Sequence, residues 1–459
     1  MNRLLVTAAL LSAALLMGCG SDTPAVEGDA DAGSQVVPDS GQAEDAGSQT
    51  DLDSGTGEQP DASTSEPDAG EPDGSALEPD AGEPDGSTIE PDAGEPDAGA
   101  PDASVEEPDA GTPSGEVEVT DLGTVPLNTQ GRSQTLTISA PAGAVSMILV
   151  IEGHSGVMYS VEELKNPAGT VLANTSLSSS SLNRLVPGEA TPGFMVPITP
   201  DIAQHFVPGN YSLRFSGAKP VGLFGSQPDT RPVSVKAVFK MGPPATRGTI
   251  DVNIHCTTAG GITAATAPTD PRIVTMLADW RAIYGQVGID IGQVRFFDMT
   301  PDLKVLESVQ GANNDFGQAC KAAAGAPGNA LNAILVEEIS VGGILGGFGT
   351  ILGISGGIPG PAHFAGLERA CLAINTTAPD GVTEQILGML IAHEAGHYLG
   401  LYHSTENALG GLIGFQHDPI SDTPEDDPNN IMFNNPLEGQ NHYLSPMQGA
   451  VMRSNPLVY

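Results

Sequence analysis

Residues 393–403 read HEAGHYLGLYH and constrain the chain more than any other stretch. His393 and His397 are four residues apart, so on a helix their imidazoles share a face. That spacing suits two ligands of one tetrahedral zinc ion. The flanking sequence supports the helix. VTEQILGMLIAHEAGHYLG spans 382–400, and Ile386, Leu387, Leu390 and Ile391 give it an apolar face. Gly400 falls just past the helix end, where a positive φ is wanted. The chain can turn there and bring His403 back as a third ligand. Three histidines leave one position for water, as a catalytic zinc requires and a structural zinc does not. Glu394, beside the first ligand, can take a proton from that water as general base. The bland alternative is a helix end that happens to be rich in histidine. Chance produces the full pattern in a chain of this length on the order of once in 10⁴.

H-E-x-x-H-x-x-G-x-x-H resembles the metzincin zinc signature, which a methionine turn accompanies downstream. Met432, in Asn429-Asn430-Ile431-Met432, occupies that place and would form an apolar floor beneath the histidines. A methionine that simply fills the core is the alternative. The finer similarity is to pappalysin-type metzincins. It rests on HEAGHYLGLYH, on Asp422-Thr423-Pro424, and on LSPMQGAVMR at 444–453. There Ser445 and Pro446 read as the cap and first turn of a C-terminal helix. The resemblance implies a zinc metalloendopeptidase with His393, His397 and His403 as ligands and Glu394 as base.

It also implies a protein or peptide substrate, laid in extended form along a strand edge. The Gly-rich segment 354–364 is the candidate edge. His417, Asp418 and Asp422 stand as site wall or calcium ligands, with solvated loop carboxylates as the alternative. Two departures from the pattern stand out. Asn434 replaces the tyrosine that many metzincins carry two residues after the turn methionine. No cysteine occurs in 404–431 to brace that loop. Cys320 and Cys371 could pair, leaving Cys256 single. Cys256, next to His255, is either a zinc ligand of a latent form or a buried strand cysteine. His363 and His442 carry no motif.

Around this segment, 244–459 reads as a catalytic domain of mixed strands and helices. Strands are predicted at 249–256, 289–299, 329–339 and 370–375, and an amphipathic helix at 271–285. The polar, proline-rich stretch Met241–Gly248 marks a boundary. Before it, 117–243 alternates short β-prone runs with turn clusters, the pattern of an antiparallel β-sandwich. His154 and His205 there read as ordinary histidines. The expected class is therefore α+β, a metzincin-type domain preceded by a sandwich.

Residues 19–116 form the third kind of sequence. Of 57 acidic residues in the chain, 28 lie between Ser21 and Glu116, and no Lys or Arg falls between Arg3 and Arg132. A twelve-residue repeat beginning EPDAGEPD runs through 66–101 with no apolar face. Such composition cannot offset chain entropy, and predicts a disordered, extended tether. The formal charge of −40 excludes nucleic acid as a partner, since phosphate binding needs clustered cations. Residues 1–18 read as a targeting segment, with a basic start and an apolar run too short for a typical span. Leu16–Cys19 resembles a lipobox, which implies cleavage before Cys19 and a lipid anchor on it. A plain secretory signal and a membrane anchor are the alternatives. The lipoprotein reading places the chain outside the cytoplasm, on an outer membrane or cell surface. A competing functional reading is a surface-binding lipoprotein with a vestigial zinc site. The intact Glu394 argues against it.

Overall fold

The computed structural model describes residues 18–20, 117–174, 185–199, 206–222, 225–299, 303–327, 329–341, 349–377, 384–407 and 415–459. The targeting segment before residue 18 and most of the acidic tether (21–116) lie outside these residues, as does the side chain of Cys19.

The chain has twenty strands among the described residues. A short first strand, β1 (Gly18–Gly20), is followed by ten that build two antiparallel sheets. These are β2 (Val117–Val125), β3 (Leu136–Ala140), β4 (Ala144–Glu152), β5 (Met158–Lys165), β6 (Val171–Asn174), β7 (Gly188–Glu189), β8 (Gly193–Val196), β9 (Gly209–Val221), β10 (Gly225–Pro228) and β11 (Val233–Met241). One sheet has the order β2-β11-β4-β8. The other runs β10-β9-β5-β6, with β3 added to β9 and β7 to β5.

Alternation explains how these strands face two ways. In β4, Met147, Leu149 and Ile151 point into the core of this two-sheet module. The intervening Ile148 and Val150 join a second core, shared with the rest of the chain. Successive side chains on a strand take opposite faces, so a strand apolar at every position must be covered on both. Each such aliphatic side chain contributes on the order of 1.5–3 kcal/mol of burial. The module thus shares a core with the following domain.

That domain contains β12 (Gly248–Cys256), α1 (Pro271–Gly285), β13 (Ile289–Asp298), β14 (Val305–Leu306), α2 (Asp315–Ala322), β15 (Leu331–Val336), β16 (Glu338–Val341), β17 (Gly349–Ser355), β18 (Leu372–Asn375), α3 (Glu384–Tyr398), β19 (Thr405–Asn407), β20 (Phe415–His417) and α4 (Pro446–Ser454). Its main sheet is mixed, with order β13-β12-β15-β18-β17-β16-β14. β12, β13, β15 and β18 are mutually parallel, and β17 runs antiparallel to both its neighbours β18 and β16. With few helices beside mixed sheets, the architecture is α+β.

α1 starts as its sequence demands. Pro271 opens the first turn and the Asp270 carboxylate accepts from Arg272 N–H at 3.0 Å. Its buried face is Ile273, Met276, Leu277, Trp280, Ile283 and Tyr284. Tyr284 Oη donates to the Ala392 carbonyl of α3 at 2.9 Å, which ties the two helices together. α4 begins with a complete capping box between Ser445 and Gln448. α2 has no counterpart among the expected elements. Its eight residues carry only a short apolar stripe, and Asn314 caps it by accepting from Gly317 N–H at 2.7 Å. Cys320 on α2 is disulfide-bonded to Cys371, ahead of β18.

The expected substrate edge at 354–364 requires correction. The strand is β17, residues 349–355, and the chain leaves the sheet at Gly356. Residues 356–364 contain two prolines, which lack the N–H that a ladder requires.

Candidate metal centre

α3 carries His393, Glu394 and His397, all nearly or fully buried. The helix ends in a paired hydrogen-bond motif. Leu401 N–H donates to the Gly396 carbonyl and Gly400 N–H to the His397 carbonyl, each at 2.9 Å. Gly400 has φ +112°, which L side chains rarely adopt. This turn swings His403 back over the helix.

The three imidazoles then converge. His403 Nε2 lies 3.2 Å from His393 Nε2 and 3.1 Å from His397 Nε2. Among the described residues, these three form the only cluster of histidine, cysteine or carboxylate side chains placed to share a metal ion. The tautomers of two of them follow from their partners. His393 Nδ1 sits 2.6 Å from the Ile431 carbonyl, and His397 Nδ1 sits 2.7 Å from the Leu401 carbonyl. Carbonyls only accept, so each Nδ1 carries the proton and each Nε2 presents a lone pair inward. Burial holds both rings neutral, pushing His393 down to about 3 and His397 well below its ordinary range. Converging neutral lone pairs in a buried space are the donor set of a cation site, and the chemistry fits zinc.

Glu394, fully buried, faces β17. A Cβ at Gly353 would stand 2.5 Å from Glu394 Oε1, so this strand residue must be glycine for the carboxylate to fit. A glycine inside an apolar strand is a signal of close approach, and TILGIS at 350–355 displays it. Glycines crowd the surrounding sequence, so no local pattern sets Gly353 apart.

Met432 is fully buried under the histidine helix. Its Sδ is 2.6 Å from where a Cβ of Gly396 would be. Ser404 N–H donates to the Met432 carbonyl at 2.7 Å, which joins the turn to the third histidine. The turn itself is braced from α4. Asn430 and Gln448 exchange two amide hydrogen bonds of 3.0 Å, both buried. No spacing in the sequence announces that pair.

The remaining candidates fall elsewhere. Asp422 accepts from Ser445 Oγ at 2.6 Å and from Met447 N–H at 3.0 Å, holding the start of α4. Asp418 accepts from Ile420 N–H and Thr423 Oγ1. His417 Nδ1 donates to the Ser404 carbonyl. These groups serve the loop, and no carboxylate cluster for calcium is found among the described residues. Asn434 is half-buried just after the turn. Cys256 lies in the β12 core, away from the histidine cluster, and burial pushes its thiol up to about 12. His363 bonds to the Pro456 carbonyl and is not part of the histidine cluster.

No family model matches the chain. A 96-residue stretch is 34% identical to an extracellular metalloprotease of Colletotrichum graminicola. It covers 21% of this chain and 30% of that protein, so the chain spans less than a third of the relative it matches. Among solved structures, archaemetzincin from Methanopyrus kandleri is 13% identical with a TM-score of 0.24, over 47% of this chain and 90% of that one. A structure from the Gx strain of infectious bursal disease virus is 14% identical with a TM-score of 0.17, over 29% and 33%. At such TM-scores neither structural likeness bears on fold or function. The likeness that does is one of sequence, to a metalloprotease, over part of each chain.

Proposed function

We propose that this chain is a zinc metalloendopeptidase of the metzincin type, with pappalysin-like features. The observation that carries the reading is the convergence of three buried imidazoles beside a buried glutamate, at the edge of an antiparallel strand. His393, His397 and His403 would hold the ion. When bound, zinc supplies Lewis acidity toward a scissile carbonyl and makes water more acidic. Glu394 takes a proton from the attacking water and delivers it to the leaving amine nitrogen. Met432 would give the site an apolar floor.

β17 lies between β18 and β16, but β16 pairs with it only as far as Ile351, and the stretch beyond, next to Glu394, is suited to an extended peptide. In the unprocessed chain its Ile351–Ile354 segment is paired antiparallel with Gly18–Gly20. An incoming peptide would use the same backbone N–H and C=O groups. The substrate class is thus protein or peptide in extended form. On this reading the mature chain is exported and held at a bacterial membrane by lipid on Cys19. The likeness to an extracellular metalloprotease supports export.

The test is Glu394→Gln in the full chain. It should keep stoichiometric zinc and lose cleavage of a mixed peptide library by at least about 10²–10⁴-fold, the range of a general base. Undiminished cleavage by that variant would remove Glu394 from the mechanism. A wild-type chain that binds no zinc would remove the centre itself.

A further inference from the structure

His393 and His397 are placed by helical geometry, but His403 is not. It follows Gly400 on irregular backbone at 401–403, where the helix-end hydrogen bonds close the turn but no regular element carries the histidine itself. The two-sheet module also grips this turn, from residues more than two hundred positions earlier. Met195 of β8 is fully buried and belongs to the core of the following domain. Its methyl carbon is 2.5 Å from where a Cβ of Gly400 would be. Tyr402, immediately before His403, turns the other way. It is 1% exposed and packs among the module's core side chains, with Phe194, Val196 and Ile198 in the same cluster. Its Oη accepts from Val186 N–H at 3.4 Å. A third contact supports the helix end. Gly193 of β8 lies so close to the Pro359 and Gly360 carbonyls that a Cβ would meet both at 2.9 Å. Gly360 N–H in turn donates to the Tyr398 carbonyl at 3.1 Å.

We infer that the two-sheet module positions the third metal ligand, with Met195 and Tyr402 as positioning residues that hold His403 over the helix. Both act through the turn and neither touches the metal. The module's role is then to raise affinity for the ion by holding the third donor in place before the ion arrives. The inference rests on the proposed metal centre.

The experiment uses the full chain and measures zinc affinity by competition with a chromophoric chelator. The ligand-field spectrum of the cobalt(II) form reports geometry independently of activity. Met195→Ala and Tyr402→Ala should each weaken zinc by about 10–100-fold, as loss of outer-shell support does. Both should alter the cobalt spectrum. Tyr402→Phe, which keeps the packing, should restore affinity to near wild type. Tyr402→Leu replaces the alanine variant if that chain does not fold. Ile138→Ala, in β3, serves as the control for general softening, because β3 pairs with β9 and with neither β7 nor β8. It should lower Tm without changing zinc affinity. Wild-type affinity and spectrum in the Met195 and Tyr402 variants would overturn the inference and leave the metal centre standing. Equal weakening by Ile138→Ala at equal loss of Tm would overturn it as well. A wild-type chain that takes up no zinc would end both readings.

Discussion

Gly353 of β17 and Glu394 of α3 are so close that a single Cβ at residue 353 would stand 2.5 Å from the glutamate Oε1 and 2.6 Å from its Cγ. The strand edge and the carboxylate therefore share one space. Gly353→Ala should push the glutamate out of place while leaving all three histidines intact. A displacement near 1 Å costs on the order of 10²-fold in rate. The expected result is a fall of that size in kcat with zinc content unchanged. Wild-type turnover by the variant would show that the carboxylate has room the structure does not give it.

Arg369 and Glu189 tie the module to the domain through a buried ion pair, with side chains 1% and 6% exposed. Glu189 also accepts from Gly311 N–H at 2.8 Å. Burial already pushes the Glu189 carboxyl up, and the Arg369 guanidinium pulls it back. Arg369→Met removes that compensation and should destabilise the chain by about 3–5 kcal/mol. Adding Glu189→Leu should recover most of the loss, because the stranded charge goes with it. Denaturant unfolding of the single and double variants decides this. A single-variant cost under about 1 kcal/mol would mean that water reaches the pair.

Lys240 gives stability a pH dependence in the alkaline range. Its ammonium donates to the Arg453 carbonyl in the last turn of α4 and to the Val458 carbonyl beyond it. Burial, with a smaller contribution from the charge of Arg453, pushes its pKa down from 10.5 to about 8. The folded chain then binds fewer protons than the unfolded chain between those values. Stability should rise as pH climbs from about 8 to 10.5, and this contribution is lost as pH falls through 8. Lys240→Met should flatten that part of a Tm-against-pH curve relative to wild type. Curves that stay parallel would show that the two carbonyls hold the ammonium charged throughout.

The histidine-bearing helix α3 is legible from the sequence alone. Helical periodicity puts His393 and His397 on one face, and a glycine four positions after the first glycine of the motif ends the helix. α1 and the cap of α4 were legible for the same reason: caps and apolar stripes are local, and spacing encodes them. Met432 was found by its likeness to a known turn, not by physics.

What the chain could not disclose locally is what holds these parts together. Only the first two residues of 354–364 belong to a strand, and glycines crowd 341–361, so only contact with Glu394 singles out Gly353. Asn430 and Gln448 are ordinary amides until folding buries them against each other. Tyr402 reads as one more apolar residue of the motif until its ring is found inside the two-sheet module. Local spacing determines which residues one helix can present together. Which distant surface covers them depends on shape and burial over the whole fold, and for that no short-range pattern exists.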